Sequence, residues 1–406
     1  MNPVDQMTAL QTNHGKLHKP VVSIRCEGWI SQQMGAQNGK LQKSEFLGKT
    51  AEPNPNAGSK LIRCILLAIL VVFLTGCETK SSEITHKKQL NLYIWSAYVS
   101  TEILAKFHKE TGIEVRYDTY DSNEAMMEKL QSGASDYDVV VPTNDIVNTL
   151  IQMNLLQTLN ANLLPNRKNL NDRFKSPDFD PNNGHSIPFF WGTTGIAYNK
   201  TKVTEPVDSW SILWNQKYKG RILMLDDPSE CFGSALKWKG YSLNDIDPEH
   251  LKVARDLLLE QKPLVKMYNN SNFDEILISG DVWLAQGWSG QIAKAVDQDQ
   301  NLSYAIPKEG SAVWTDCLAI PKAAPHVVEA HAFLNYLLDA RIAAQITDLT
   351  GYATTNQAAK SYIKPRMLQD KIRYPDDRTL ARCEWFLARG TTSQLLDRYW
   401  SEIKAR

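Results

Sequence analysis

Carboxylates and large aromatic side chains recur together in this chain, just after short apolar runs. Trp95, Ser96 and Tyr98 follow the run at 90–94, and Thr143 and Asp145 follow the run at 137–141. Asp226-Asp227-Pro-Ser-Glu230 follows residues 221–225, and Gly287-Trp288-Ser-Gly290 follows residues 282–285. Trp314-Thr-Asp316 and Thr350-Gly-Tyr352 come later, and none of these segments holds a lysine or arginine. That is the chemistry an alkyl polyamine requires. Each ammonium needs a carboxylate, because a buried unpaired charge costs several kcal/mol. The methylenes between amines need apolar walls, which indole and phenol faces supply along with cation–π attraction of about 0.5–2 kcal/mol each. Each segment also has a plainer use: Asp-Asp-Pro as a turn and helix start, Gly-Trp-Ser-Gly as a packed bend. Their joint placement after apolar runs favours the binding chemistry.

Other chemistries fit less well. Asp227 and Glu230 would serve a glycosidase only at a particular separation across a cleft. Ser289 would be a hydrolase nucleophile in Gly-x-Ser-x-Gly, but Gly290 is followed by Gln291, so that pattern fails. No catalytic role is expected. The six cysteines, at 26, 64, 77, 231, 317 and 383, form no CxxC or Cys/His spacing, so no metal is expected. The three beyond Cys77 permit at most one internal disulfide. Lys+Arg and Asp+Glu both number 45, which gives no basic surface for nucleic acid. Eight basic and four acidic residues precede Cys77, leaving 37 basic and 41 acidic, a mildly acidic remainder.

The elements that must position these residues alternate. Leu90, Leu92 and Ile94 mark a strand ending at Trp95. Ser100 caps a helix carrying Ile103, Leu104 and Phe107, closed near Gly112. Ile113, Val115 and Tyr117 make a second strand. A helix from Ser122 with Met126, Met127 and Leu130 leads to a buried strand over 137–141. The second half repeats the scheme: a strand at 221–225, a helix at 248–260 capped by Asp247, a strand at 282–285 and a helix at 326–339. The β-α-β-α-β order predicts an α/β fold with parallel sheets and ligand groups at the carboxyl ends of strands. Two sheet-bearing halves suggest two lobes facing a cleft.

Lys60 and Arg63 precede an apolar run from Cys64 to Leu74 that is too short to span a bilayer comfortably and has the flanks of a secretory segment. Leu74-Thr75-Gly76-Cys77 resembles the bacterial lipoprotein box, which implies a signal peptide at 60–76, lipidation of Cys77 and attachment to a membrane outside the cytoplasm. Residues 1–59 are polar, aperiodic and out of place before such a signal, so they read as a disordered or non-native extension with the true start later. Residues 77–88 read as a tether.

Several long stretches are similar to the spermidine/putrescine-binding proteins of polyamine ABC importers. They are Tyr93-Ile-Trp-Ser-Ala-Tyr98, Phe107-His-Lys-Glu-Thr-Gly-Ile113, Tyr120-Asp-Ser-Asn-Glu124, Asp138-Val-Val-Val-Pro142 and Ile187-Pro-Phe-Phe-Trp-Gly192. Trp210-Ser-Ile-Leu-Trp214, Leu225-Asp-Asp227, Ile306-Pro-Lys-Glu-Gly310, Leu318-Ala-Ile-Pro321 and Gly351-Tyr352 follow in order. The resemblance implies a type II periplasmic binding protein whose lobes are 89–191 plus 316–360 and 192–315 plus 361–406. Hinge strands would pass near Trp191-Gly192 and Thr315-Asp316. It implies capture of putrescine or spermidine for an ABC permease, by a monomer without cofactor; a sensing protein that signals to a membrane partner is the alternative. In the ligand set it implies, Trp95 and Tyr98 wall the chain, Ser96 adds a polar contact, and Thr143 stands where the family has Ser. Asp227 and Glu230 bind one ammonium, Asp316 another, Trp288 and Trp314 sandwich methylenes, and Tyr352 closes the wall. Ala97 replaces a carboxylate of relatives, Asp145 a tyrosine, Gln291 an aspartate of putrescine-selective members, and Ser401 a glutamine near the C-terminus.

Overall fold

A computed structural model describes residues 88–406 except Ala97, Ala134 and Ser135. The extension, the signal peptide, Cys77 and nearly all of the tether lie outside the described residues. Among the described residues, no helix is long and apolar enough to cross a membrane.

The alternation read from the sequence forms the first half. Strand β1 (Gln89–Trp95) pairs in parallel with β2 (Glu114–Tyr120) from Gln89↔Glu114 to Trp95↔Tyr120, and with β3 (Val139–Val140) at Leu92↔Val139. Leu90, Leu92 and Ile94 are buried on one face of β1, packed with Phe107 and Phe333 from covering helices. The helix Thr101–Thr111 starts where Ser100 Oγ accepts from Ile103 N and stops at Gly112, whose φ of 72° supplies the left-handed turn. Two expectations shift. β2 is the sheet edge and starts at Glu114, one residue after the expected Ile113, with Tyr117 exposed. β3 is two residues long, because Asp138 is turned to other work. Its buried carboxylate accepts from Asn91 N and His326 N, each at 2.7 Å, and stays close to His326 Nδ1 at 3.0 Å.

β4 (Ser186–Asn199) joins the two halves. Its first part runs antiparallel to β9 (Ala312–Ala319), from Ser186↔Ala319 to Thr193↔Val313. Its second part, from Thr194 onward, runs antiparallel to β7 (Leu284–Trp288) and β8 (Leu302–Ala305). The change of partner falls at Thr193–Thr194, beside the predicted crossing at Trp191-Gly192. β5 (Ile222–Met224) and β6 (Val265–Tyr268) complete the second half, parallel to one another, with β5 parallel to β7. β10 (Ala353–Thr354) adds to β4 and β11 (Glu384–Trp385) to β9. A second core forms around Trp210, Tyr218, Phe232, Leu251 and Leu258.

The strand expected at 282–285 sits later, so Gly287 and Trp288 end β7 instead of following it. Gly287 is admitted there because the Phe273 ring lies 2.7 Å from where a Cβ would stand. Trp314 and Asp316 also belong to a strand, β9, not to a crossing loop. The helix 248–260 is found as Pro248–Gln261 with Asp247 as its cap, and the helix 326–339 as Val327–Leu337. Cys231, Cys317 and Cys383 are free thiols.

Candidate ligand-binding cleft

Three helices begin at the carboxyl ends of parallel strands, and each start carries residues singled out above. Thr143 precedes the helix Asn144–Gln152 after β3, Asp227 caps Pro228–Trp238 after β5, and Trp288 precedes Ser289–Gln298 after β7. Asp227 Oδ1 accepts from Glu230 N at 3.0 Å, so this aspartate is both a helix cap and a cleft wall. Its first-turn neighbour Glu230 also benefits from the helix dipole. Asp-Asp-Pro is thus a helix start whose cap also lines the cleft.

These starts converge with β9 on a cleft partly open to solvent. Its walls contain five carboxylates: Glu124, Asp145, Asp227, Glu230 and Asp316. Three indoles line it, Trp95, Trp288 and Trp314, with Tyr98 and Phe386. Of the predicted site residues, Trp95, Tyr98, Thr143, Asp145, Asp227, Glu230, Trp288, Trp314 and Asp316 all face this space. Ser96 and Tyr352 do not. They line a neighbouring chamber that shares Trp95, Tyr98 and Trp288 with the first and adds Asp121, Asp274 and Glu275. Ser96 is exposed and donates to Asp121 Oδ1 at 3.4 Å. Tyr352 is buried behind the wall, stacked on Phe190 and edge-on to Trp314 with ring centroids 5.2 Å apart. Gln291 lines that second chamber, while Ser401 is exposed and bonds within its own helix to Asp397 O.

The polar groups are held before any ligand arrives. Asp316 Oδ2 accepts from Tyr98 OH at 2.7 Å, and Glu230 Oε1 accepts from Thr194 Oγ1 at 2.7 Å and Trp288 Nε1 at 2.9 Å. Asp145 Oδ1 accepts from Thr143 Oγ1 at 2.6 Å, and Trp95 Nε1 donates to Val141 O at 2.9 Å. Trp314 is seated by Gly192: a Cβ there would stand 2.7 Å from the indole and 2.9 Å from Ser289 Oγ. Gly290 likewise makes room for the Tyr352 ring, 2.1 Å from its absent Cβ. Ser289 is buried and accepts from Thr193 N at 3.2 Å, a structural role.

Crowding carboxylates in a dry cleft raises their pKa values. Burial pushes Asp316 up to about 8 against the lowering bond from Tyr98, with Asp145 adding repulsion. Burial pushes Glu230 to about 7 despite its bonds to Thr194 and Trp288. Asp227 is held far above the carboxylate range by burial, then by Glu124 and Glu230. Asp145 is raised by burial as well. Glu124 is an exposed residue whose carboxyl is raised by desolvation first; its exposure leaves it more open to solvent screening than the others.

Sequence reasoning missed Glu124, Ser229, Phe386 and Arg389. Glu124 was findable, since it follows β2 as the others follow their strands. Phe386 and Arg389 lie after the two-residue β11, in a segment without periodicity. Arg389 lies behind the wall formed by Ser229 and Phe386, outside the segments singled out from the sequence. It donates to Ser229 Oγ at 2.9 Å and Leu243 O at 2.7 Å and lies against the Phe386 ring at 5.9 Å.

Two α/β halves joined by a shared antiparallel strand pair, with a ligand cleft at their strand ends, define a two-lobed periplasmic-type binding protein. Residues 102–372 match the bacterial extracellular solute-binding proteins. The putrescine-binding periplasmic protein SpuD of Pseudomonas aeruginosa is 36% identical over 83% of this chain and 97% of its own. The spermidine/putrescine-binding periplasmic protein of Escherichia coli is 37% identical over 78% of this chain and 91% of its own. Among solved structures, the spermidine/putrescine ABC transporter substrate-binding protein PotD of Streptococcus pneumoniae superposes with a TM-score of 0.67, at 34% identity over 78% of this chain and 99% of that one. The Tp0655 lipoprotein of Treponema pallidum gives 0.71 at 29% identity, over 79% and 100%. The chain belongs to the bacterial extracellular solute-binding protein family, the binding components of transporters and not enzymes.

Proposed function

We propose that this protein captures an aliphatic polyamine, putrescine or spermidine, outside the cytoplasm and delivers it to an ABC importer. One observation carries the reading: five carboxylates and three indoles line one cleft. A dicarboxylate or sugar site would not gather so many acids at such electrostatic cost, whereas a ligand with separated ammonium groups reverses that cost on binding. In this reading Asp316 receives one ammonium and Asp227 with Glu230 another. Asp145 and Glu124 add field, and Trp95, Tyr98, Trp288 and Trp314 cover the methylenes. Thr143 orients Asp145, while Ser96 and Tyr352 act from the second chamber and the wall. The lobes are taken as 89–191 plus 316–360 and 192–315 plus 361–406, closing about β4 and β9. Cys77 carries the lipid anchor, and the protein works as a monomer tethered to the membrane beside its permease.

Titration calorimetry of residues 78–406 with putrescine, cadaverine, spermidine and spermine tests the ligand class. At least one is expected to bind at micromolar affinity or better. No heat from any of the four, with a folded protein, rejects it. Mass spectrometry of the membrane-extracted protein tests the anchor: an acylated peptide beginning at Cys77 is expected.

A further inference from the structure

A cation stands directly behind the cleft wall. Arg389 donates to Ser229 Oγ and Leu243 O and packs on Phe386, and both Ser229 and Phe386 line the cleft. Its Nε meets no acceptor among the described residues, and no carboxylate there lies within ion-pair distance of its guanidinium. A half-buried arginine with neutral partners is an unusual thing to place in an acidic site. Its field instead reaches three carboxylates at once: Asp145, Asp227 and Glu230. Asp316, by contrast, is governed by burial, Tyr98 and Asp145. Geometry separates the two groups of acids: Asp316 is held by Tyr98 of the first half, whereas Glu230 is held by Thr194 and Trp288 beside Ser229, the residue Arg389 bonds.

We propose that Arg389 is a specificity-determining residue that stands in for one ligand ammonium, so that the cleft accepts a short diamine and disfavours triamines and tetraamines. This rests on the polyamine reading. A diamine sets one ammonium on Asp316 and one at the Asp227–Glu230 end, where three carboxylates then face two positive charges, the ligand's and Arg389's. A triamine brings a third charge to the same end, three or four methylenes away, against a guanidinium that cannot lose its proton. Like charges a few ångströms apart in a site of intermediate dielectric shift affinity by on the order of tenfold or more.

The experiment compares putrescine, spermidine and spermine by calorimetry on the wild type, Arg389→Met and Arg389→Lys. The Met variant keeps apolar packing on Phe386 without charge; Arg389→Gln, which can still donate to Leu243 O, serves if the Met variant does not fold. The expected result is a wild type that prefers putrescine. In the Met or Gln variant the spermidine-to-putrescine affinity ratio should rise by roughly tenfold or more, while Arg389→Lys keeps the wild-type ratio within a few-fold. A ratio unmoved by loss of the charge, in a wild type that binds putrescine, overturns the role of Arg389. A wild type that prefers spermidine overturns it too. A wild type that binds no amine at all overturns the polyamine reading beneath it instead.

Discussion

Binding should expel protons, and the number can be worked from two side chains. Asp316 is pushed to about 8 and Glu230 to about 7, both chiefly by burial. At pH 6 the first is about 99% and the second about 90% protonated in the empty cleft. A bound diammonium needs both as carboxylates, so these two groups release nearly two protons per ligand at pH 6 and about a quarter of a proton at pH 8.5, and Asp227, also raised by burial, adds to that release. Affinity then rises by about three decades, roughly 4 kcal/mol, between those pH values. The ligand's amines, lysine-like, stay largely charged over this range. Calorimetry in buffers of different ionisation enthalpy reads the proton count directly, and Asp316→Asn should lower it by about one at pH 6. The sign for the empty protein follows. Both groups have folded pKa values above their unfolded ones, so their contribution to stability is full below about pH 4. It is lost as pH rises to about 7 for Glu230 and about 8 for Asp316. The unliganded melting temperature of the wild type should therefore fall relative to Asp316→Asn across that window. A release near zero at pH 6, with micromolar binding intact, would refute the claim that burial holds these acids neutral.

Further outcomes separate binding from support. At pH 8.5, Asp316→Asn keeps an acceptor for Tyr98 OH but removes the charge, and should weaken amine affinity by about 2–5 kcal/mol in a titration. Gly192→Ala forces a methyl into the Trp314 indole, costing about 1–3 kcal/mol in urea unfolding and reducing the amine-induced change in tryptophan fluorescence. Asp138→Ala strips the acceptor from Asn91 N and His326 N, far from the cleft's acids; about 2–4 kcal/mol of stability should go, with amine affinity unchanged.

Much of this architecture could be read from residue order because both halves obey local rules. Ser100, Ser122 and Asp247 each cap the helix their spacing announced, and Leu90, Leu92 and Ile94 bury on the face their alternation implies. Nine of the eleven predicted ligand residues face one space: seven stand at or just after the carboxyl ends of parallel strands, and Trp314 and Asp316 enter from within β9. What escaped depended on tertiary neighbours. Asp138 shortened its strand through partners 47 and 188 residues away. Gly287 and Trp288 joined a strand because Phe273 fills the glycine's empty side. Arg389 reached the back of the cleft wall from a segment whose path is set by β11 on β9, a pairing of two residues that no periodicity signals.

β4 is the strand the two halves share, antiparallel to β9 before Thr194 and to β7 and β8 from it onward. A chain divided anywhere within Ser186–Asn199 would leave an unpaired sheet edge on each fragment, and such edges invite aggregation. Neither half is thus a portable module. Recombination between relatives can exchange loops at the strand ends freely, but grafting a whole half must preserve this one strand's register on both sides at once.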